Sequence, residues 1–367
     1  MQHTLSSSSF GDSDRVDWIQ LIRSRRVGPQ TFFRLLGQHG TAAAALDALP
    51  GVARDAGVTS YQIYSRSQAS DEYWRGRDMG CRLIAAPDPD YPPLLRGIAG
   101  APPVLWALGD VGLLARPSVV IVGARNASAL GKRFTGQLCR ALGEAGLVVV
   151  SGLARGIDTA AHESALEHGT IGVQAGGIDV IYPLENAALH RDIAEGGLRL
   201  SEQPLGLVPQ ARHFPQRNRI IAGLAEATLV IEGATRSGSL ITAREAGDLG
   251  REVMAVPGNP LDQRAAGCNA LIREGATLIR SAEDVLVALP ARDAVPAPEP
   301  DRPVREVPPA ARLEPQVLSL LSVTGVSEDA LIRDLGAPAA AVTTVLTRLE
   351  LEGKIERQPG GLLALAV

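Results

Sequence analysis

Lysine is nearly missing from this chain of 367 residues: Lys132 and Lys354 are the only two, so almost all of its 36 basic residues are arginine. A G+C-rich coding sequence produces the same bias, so by itself it carries no functional meaning. Cysteine is scarce too. Cys81, Cys139 and Cys268 are far apart and odd in number, which excludes a disulfide framework or a zinc motif and points to a reducing, cytoplasmic setting. No apolar run reaches the ~18–20 residues a membrane span needs. The Ser-rich start lacks the basic and apolar regions of a signal peptide. There is no excess of positive charge either. The formal net charge is −4, so a nucleic-acid binder made from this chain must place its positive charge locally.

Several catalytic signatures are also missing. No GxGxxG follows the first predicted strand of the central region, which argues against ordinary dinucleotide binding. Gly131-Lys132-Arg133 lacks the Ser/Thr and the glycine spacing of a Walker A loop, so no ATPase is expected. Ser151 beside Gly152 is not set in the GxSxG of a nucleophile elbow. Asp158 and His162 stand four apart on a predicted helix and could be an acid–base pair or two metal ligands, but no motif supplies a third ligand. Asp158 is expected to favour the helix dipole, and His162 to pack against it or bond to it. No cofactor and no metal site is expected.

What is present is a chain of alternating character. Residues 1–14 are polar and read as a disordered tail. Residues 15–70 carry short apolar-periodic segments separated by Val27-Gly28-Pro29 and by Leu49-Pro50-Gly51-Val52, the pattern of a small SAM-like or helix-hairpin-helix bundle. Its turns and Arg23, Arg25 and Arg26 could contact a duplex, but Gly-Pro turns between helices are common, and packing or partner binding is the reading adopted. Residues 71–289 form the core. Its first part, to residue 114, is punctuated by proline and reads as a connection covering one edge of the α/β region. Strands are then predicted at 119–122, 147–150, 171–174, 198–201, 228–231, 252–256 and 277–279, with helices between most of them, for example 133–145 and 159–168. This alternation is that of a doubly wound α/β sheet. Residues 290–312, rich in Pro, Ala and charge, read as an extended linker. Residues 313–367 read as a winged helix, with turns at Gly325 and Gly353 and a longer helix over 339–352. Its basic residues Arg333, Arg348, Lys354 and Arg357 are outnumbered by Glu314, Glu328, Asp329, Asp334, Glu350, Glu352 and Glu356, so protein contact or packing is expected of it rather than major-groove reading.

Ligands of such sheets bind beyond the C-terminal ends of the strands. Four predicted strand ends carry small and basic residues there: Gly123-Ala124-Arg125, Ser151-Gly152-Leu153-Ala154-Arg155-Gly156, Ala175-Gly176-Gly177, and Glu232-Gly233-Ala234 before Arg236-Ser237-Gly238-Ser239. Arg217, Asn218 and Arg219 precede the fifth strand. Glycines give close backbone approach, helix starts offer free N–H groups and the positive end of the dipole, and arginine supplies charge. The residues expected to hold phosphate are therefore Gly123, Arg125, Ser151, Gly152, Arg155, Gly156, Arg217, Asn218, Arg219, Ser237, Gly238 and Ser239. Phe214 and Tyr182 are the candidates for stacking on bases.

The runs VGAR (122–125), SGLARGIDTAAH (151–162), GGIDVIYP (176–183), SEQP (201–204), FPQRNRIIAGL (214–224), SGSLITA (237–243), AVPGN (255–259) and GCNALIREGA (267–276), in this order, resemble the DprA/Smf family. The resemblance is dense from Tyr91 to Ala288, and the flanking bundle and winged helix also fit that family's extensions. It implies an extended Rossmann-like core that binds single-stranded DNA, protects incoming strands in natural transformation, helps load the RecA recombinase and acts as a homodimer without enzymatic activity. It places DNA contacts on Arg125, on the loop from Ser151 to Asp158 and on Arg217, Asn218 and Arg219. The chain departs from the pattern at Ala124, where a small hydroxyl residue is common, and at Leu184-Glu185, where a basic residue sometimes sits. Two other readings of the same loops stay open: an enzyme cleaving N-glycosidic bonds of nucleotides, with Glu232 as acid unless that carboxylate orients Arg219 or Arg236, and a nucleotide-sensing adaptor.

Overall fold

The computed structural model describes residues 10–55, 60–289, 310–321, 326–335 and, in part, 337–365. Four helices come first: α1 (Asp12–Arg23), α2 (Pro29–His39), α3 (Ala42–Asp55) and α4 (Arg66–Asp78). Residues 12–14, assigned to the tail from sequence, already belong to α1, where Asp12 and Asp14 favour the helix N-terminus; residues 1–9 lie outside the described residues. The predicted turn at Leu49-Pro50-Gly51-Val52 is absent, because α3 runs through Pro50. A proline there forfeits one helical hydrogen bond. The buried stripe of Ala42, Ala45, Leu46, Leu49 and Ala53 continues across it and holds the helix together. Arg23 is already committed, to the Glu72 carboxylate and the Glu202 carbonyl, which leaves only Arg25 and Arg26 of the three arginines exposed near the first turn.

The proline-punctuated segment after α4 holds two strands that the sequence did not announce, β1 (Arg82–Ala85) and β2 (Val104–Gly109), with α5 (Pro93–Arg96) between them. Pro93 opens α5, and Pro102 and Pro103 end just before β2, so the prolines flank the strands and cost no ladder hydrogen bonds. The segment does not merely cover the sheet edge but extends the sheet. The remaining elements of this unit are β3 (Ser118–Val122), α6 (Ala129–Glu144), β4 (Val148–Ser151), α7 (Ile157–Ala165), β5 (Thr170–Val173), α8 (Ala187–Gly196), β6 (Leu198–Ser201), α9 (His213–Leu224), β7 (Ala227–Val230), α10 (Gly238–Asp248), β8 (Glu252–Ala255), α11 (Ala266–Arg273), β9 (Thr277–Leu278) and α12 (Ala282–Ala288).

The nine strands lie in the order β1-β2-β6-β5-β4-β3-β7-β8-β9. All pairs from β6 to β9 are parallel, while β2 joins β6, and β1 joins β2, antiparallel. Alternation along β3 shows how the layers form. Val120 and Val122 face Ile220, Ile221 and Leu224 of α9 with Leu240 and Ala243 of α10. Val119 and Ile121 face Leu138, Cys139 and Leu142 of α6 with Ile157 and Ala161 of α7. A period of two on strands and helices on both faces make the doubly wound, extended Rossmann-like sheet expected from the sequence. The helical bundle shares a core with the antiparallel edge: Trp18 and Ile19 of α1, Phe32 of α2 and Tyr73 of α4 pack with Leu83 of β1 and Trp106 of β2. Helix α4 runs across residues 70 and 71, where the sequence suggested a boundary.

The C-terminal unit is a winged helix. It contains α13 (Ala310–Leu320), β10 (Val326–Ser327), α14 (Glu328–Leu335), β11 (Ile355–Gln358) and β12 (Leu362–Leu365), with the sheet in the order β10-β12-β11. Residues 310–312, read as linker from sequence, begin α13; residues 290–309 and most of the expected helix over 339–352 lie outside the described residues. Leu313, Val317, Leu331, Leu346, Ile355 and Leu363 form its core.

Candidate nucleic-acid interface

The chain runs outward from β3 through β4 and β5 to β6, then returns to β7 beside β3. The crevice between the ends of β3 and β7 is therefore the topological switch point, where doubly wound sheets bind ligands. Three cavities follow one another along this C-terminal rim. The first, of about 410 Å³, lies over the β4 and β5 ends, between the Leu153–Arg155 loop, Gln174, Tyr182 and Phe214. The second, of about 580 Å³, lies at the switch point and is lined by Gly123, Asn218, Arg236, Ser237, Gly238 and Ser239 among others. Arg125, Ala154, Phe214 and Arg217 line both. The third, of about 520 Å³, adjoins the second at Asn126, Gln263 and Arg264. Together they make one continuous groove.

Arg125 leaves the end of β3 exposed, with its guanidinium 5.3 Å from the centroid of the Phe214 ring. Tyr182 stands 5.6 Å from Phe214, ring to ring. A cation over one aromatic face with a second ring beside it, at the junction of two cavities, offers both phosphate and base a partner. Arg236 is exposed at the turn into α10. Ser237 caps that helix: its Oγ accepts from the Ser239 amide at 3.3 Å and lies 2.7 Å from the Ser239 hydroxyl. A Cβ on Gly238 would meet nothing within 4 Å, so the first turn of α10 is open to a ligand. Arg155 is exposed at the first cavity and stands 3.6 Å from the Glu185 carboxylate.

Arg217 is the floor rather than a free arm. It is 6% exposed and donates from Nη1 to the Gly152 carbonyl at 2.7 Å and to the Val173 carbonyl, tying the ends of β4 and β5 together. Burial pushes its guanidinium down to about 10, with the Asp158 carboxylate opposing that shift, so it stays charged at neutral pH. Asp158, at the start of α7, accepts from the Gly152 and Ala154 amides at 3.1 and 3.3 Å. Burial pushes its carboxyl up to about 6 against Arg217 and those amides. The pair thus holds the 152–158 loop in place. Gly152 is glycine because a Cβ would lie within 2.8 Å of the Arg217 guanidinium. Gly156, at φ +86°, would drive a Cβ to 2.2 Å from the Ala124 carbonyl.

Four sequence expectations need correction. Arg219 does not reach the groove. Two residues along a helix is a turn of about 200°, so when Arg217 faces the strand ends, Arg219 faces away, where it pairs with Glu202 at 2.5 Å. Ser151 is fully buried and its hydroxyl donates to the Ile121 carbonyl at 2.6 Å, joining β4 to β3; neither it nor Gly156 lines any of these three cavities. Of the two alternatives for His162, packing against Asp158 or bonding to it, the bond is not made. The His162 Nδ1 is 2.7 Å from Thr170 Oγ1, whose hydrogen goes to the Val149 carbonyl, so Nδ1 carries the proton. Glu232 orients neither Arg219 nor Arg236, because its carboxylate accepts from the amide and hydroxyl of Ser128 at 2.9 and 2.5 Å. Gln263 and Arg264 escaped the sequence reading. They follow β8, and every loop after a parallel strand of this sheet lies on the same rim. That rule, applied to the AVPGN run, would have found them.

Among the described residues no group of three or more His, Cys, Asp and Glu could hold a metal ion, and no helix is long and apolar enough to cross a membrane. The family model for DNA recombination-mediator protein A matches residues 82–290. A DprA-like N-terminal HHH domain matches residues 12–74, and a DprA winged helix domain matches residues 296–361. The DNA processing protein DprA of Bacillus subtilis (strain 168) is 45% identical over 220 residues, covering 59% of this chain and 74% of that protein. The X-ray structure of DprA from Streptococcus pneumoniae superposes with a TM-score of 0.64 at 35% identity, over 75% of this chain and 99% of that one. A structure described as showing the single-stranded DNA binding mode of DNA processing protein A from Helicobacter pylori gives a TM-score of 0.53 at 30% identity, over 56% and 94%.

Proposed function

We propose that this chain, which belongs to the DprA/Smf family, binds single-stranded DNA along the rim groove. The observation that carries the reading is Arg125 over Phe214 where the first and second cavities meet. The switch-point cavity, with Arg236, Ser237, Gly238 and the start of α10, suits a phosphate. The neighbouring cavity, walled by Leu153, Tyr182, Leu184, Pro209 and Phe214, suits a base turned out of a stack. A duplex keeps its bases stacked inside and cannot offer them to such a wall. Recognition through phosphates and stacking implies little sequence preference and a marked salt dependence. The Helicobacter pylori relative, described as binding single-stranded DNA, supports the assignment.

In keeping with the family, we assign the chain a role in natural transformation. As a homodimer in the cytoplasm it protects incoming strands and helps load the RecA recombinase, without an enzymatic step of its own. The rival N-glycosidic reading loses its acid, since Glu232 is committed to Ser128. The test is binding of labelled oligo-dT and of a matched duplex at several salt concentrations, for the wild type and Arg125→Ala. The expected result is single-strand preference, a steep salt slope, and a loss of roughly tenfold to a hundredfold in the variant, the weight of one or two charged hydrogen bonds. Equal binding of duplex, or an unchanged affinity in a folded variant, removes the groove from the account.

A further inference from the structure

In dinucleotide-binding doubly wound sheets the helix after the first strand holds a phosphate at its N-terminus. The equivalent helix here is α6, which follows β3 at the switch point. Its N-terminus is already filled. Ser128 caps it, with its Oγ accepting from the Gly131 amide at 2.8 Å. The Ser128 amide and hydroxyl in turn donate to the two oxygens of Glu232, a residue from the far side of the crevice at the end of β7. The fit is close: a Cβ on Gly131 would stand 2.6 Å from the Glu232 carboxylate. The helix therefore carries its anion permanently, supplied by the chain itself.

We propose that Glu232 is a specificity-determining residue that occupies the α6 phosphate position, so that the groove rejects free nucleoside phosphates and leaves the α10 N-terminus to a polynucleotide. The geometry has two consequences. A free phosphate at α6 must displace an intramolecular carboxylate held by two hydrogen bonds, whereas the first turn of α10, a few residues further along the same strand end, is open. The same carboxylate joins the β7 end to the loop from Gly123 to Ser128, which carries Arg125 and Asn126 into the groove. Glu232 thus also acts as a positioning residue for Arg125. This inference rests on the reading of the groove as a single-strand site.

The test uses the full chain and inorganic pyrophosphate as probe, followed by thermal shift, with oligo-dT binding measured in parallel. The wild type should bind oligo-dT and show little response to pyrophosphate. Glu232→Ala should gain saturable pyrophosphate binding, on the order of tenfold tighter than the wild type, as befits an anion at a helix N-terminus, and should lose the gain when Ser128→Ala is added. Its oligo-dT affinity should fall as the Arg125 loop is released. Glu232→Gln, which removes the charge and keeps the side chain in place, should gain little. An equal gain in Glu232→Gln, or one that survives Ser128→Ala, would trace the effect to lost repulsion and overturn the proposal, as would the absence of any gain in Glu232→Ala. If Glu232→Ala does not fold, Glu232→Ser, which leaves a hydroxyl facing Ser128, serves for the same comparison. A wild type that fails to bind oligo-dT sinks the single-strand reading itself, a result separable from the pyrophosphate outcomes.

Discussion

Arginines at the antiparallel edge of the sheet and arginines at its rim live in opposite company. At the edge Arg15 binds Asp88 at 2.8 Å and Arg23 binds Glu72 at 2.9 Å, with all four side chains largely buried. Arg219, paired with Glu202, belongs to this group. At the rim Arg125 and Arg236 are exposed and have no carboxylate partner among the described residues. The contrast explains how a chain with net charge −4 can present a cationic groove. Acids at the edge neutralise the arginines that hold the bundle to the sheet, while Arg125 and Arg236 keep their charge unanswered where the strands end. Positive charge is thus read from pairing, not from a count of basic residues.

The largest expected effect comes from breaking the edge. Glu72 accepts from Arg23 and also from Trp106 Nε1 at 3.0 Å, and it is 6% exposed. Glu72→Ala leaves a buried cation and a buried indole N–H without partners. The cost is about 3–5 kcal/mol, measurable as a lower urea midpoint at unchanged slope. Arg125→Ala should show the reverse signature, with stability within about 0.5 kcal/mol of the wild type and a clear loss of oligo-dT affinity. If Glu72→Ala were as stable as the wild type, the edge pairs would be ornamental and the contrast would fail.

The wall of the rim groove is supported by neutral groups, and pH probes that support. His190 donates from Nε2 to the Tyr182 carbonyl, 3.3 Å away, behind a ring that lines the first cavity. Burial, aided by Arg199, pushes its imidazole down to about 4. A base with a depressed folded-state value contributes stability that is present above about 6.5 and lost as pH falls through 6.5 towards 4, because the unfolded chain takes up the proton first. At about 1.4 kcal/mol per unit the contribution has an upper bound of about 3–4 kcal/mol. His190→Gln should flatten the acid side of the stability profile between those limits relative to the wild type. Parallel profiles would show that His190 titrates alike in folded and unfolded chains.

Much of this arrangement was legible beforehand, and the misses have physical causes. The seven parallel strands fall within a residue or two of their predicted ends, since a continuous β-branched run buried on both faces is a strong signal. Strands β1 and β2 were hidden by the run of prolines between them, from Pro87 to Pro103. Pro50 suggested a turn because propensity is local, whereas the apolar stripe that overrides it is set by packing. Arg125, Gly238 and Ser237 could be placed because loops after parallel strands share one rim. Arg219 was misplaced because its direction depends on the phase of α9, which the RNR run alone does not give. The pairing of Glu232 with Ser128 joins residues 104 positions apart, and neither residue's neighbours in sequence point to the other.

The smallest expected effect tests a place where the contrast blurs. Arg155 is a rim arginine with a carboxylate beside it, Glu185, at 3.6 Å, and both side chains are more than half exposed. An exposed pair at that distance is weak and easily screened, so Glu185 should compete only slightly with a phosphate for Arg155. Glu185→Gln should raise oligo-dT affinity by about twofold to threefold at low salt, the scale of an exposed ion pair, and the gain should fade as salt rises. A double variant with Arg155→Ala should abolish the gain, because the carboxylate acts through that guanidinium. If Glu185→Gln helps equally without Arg155, Glu185 repels the DNA directly. In that case Arg155 belongs with the paired arginines of the edge, and the single-stranded path runs through Arg125 and Arg236 alone.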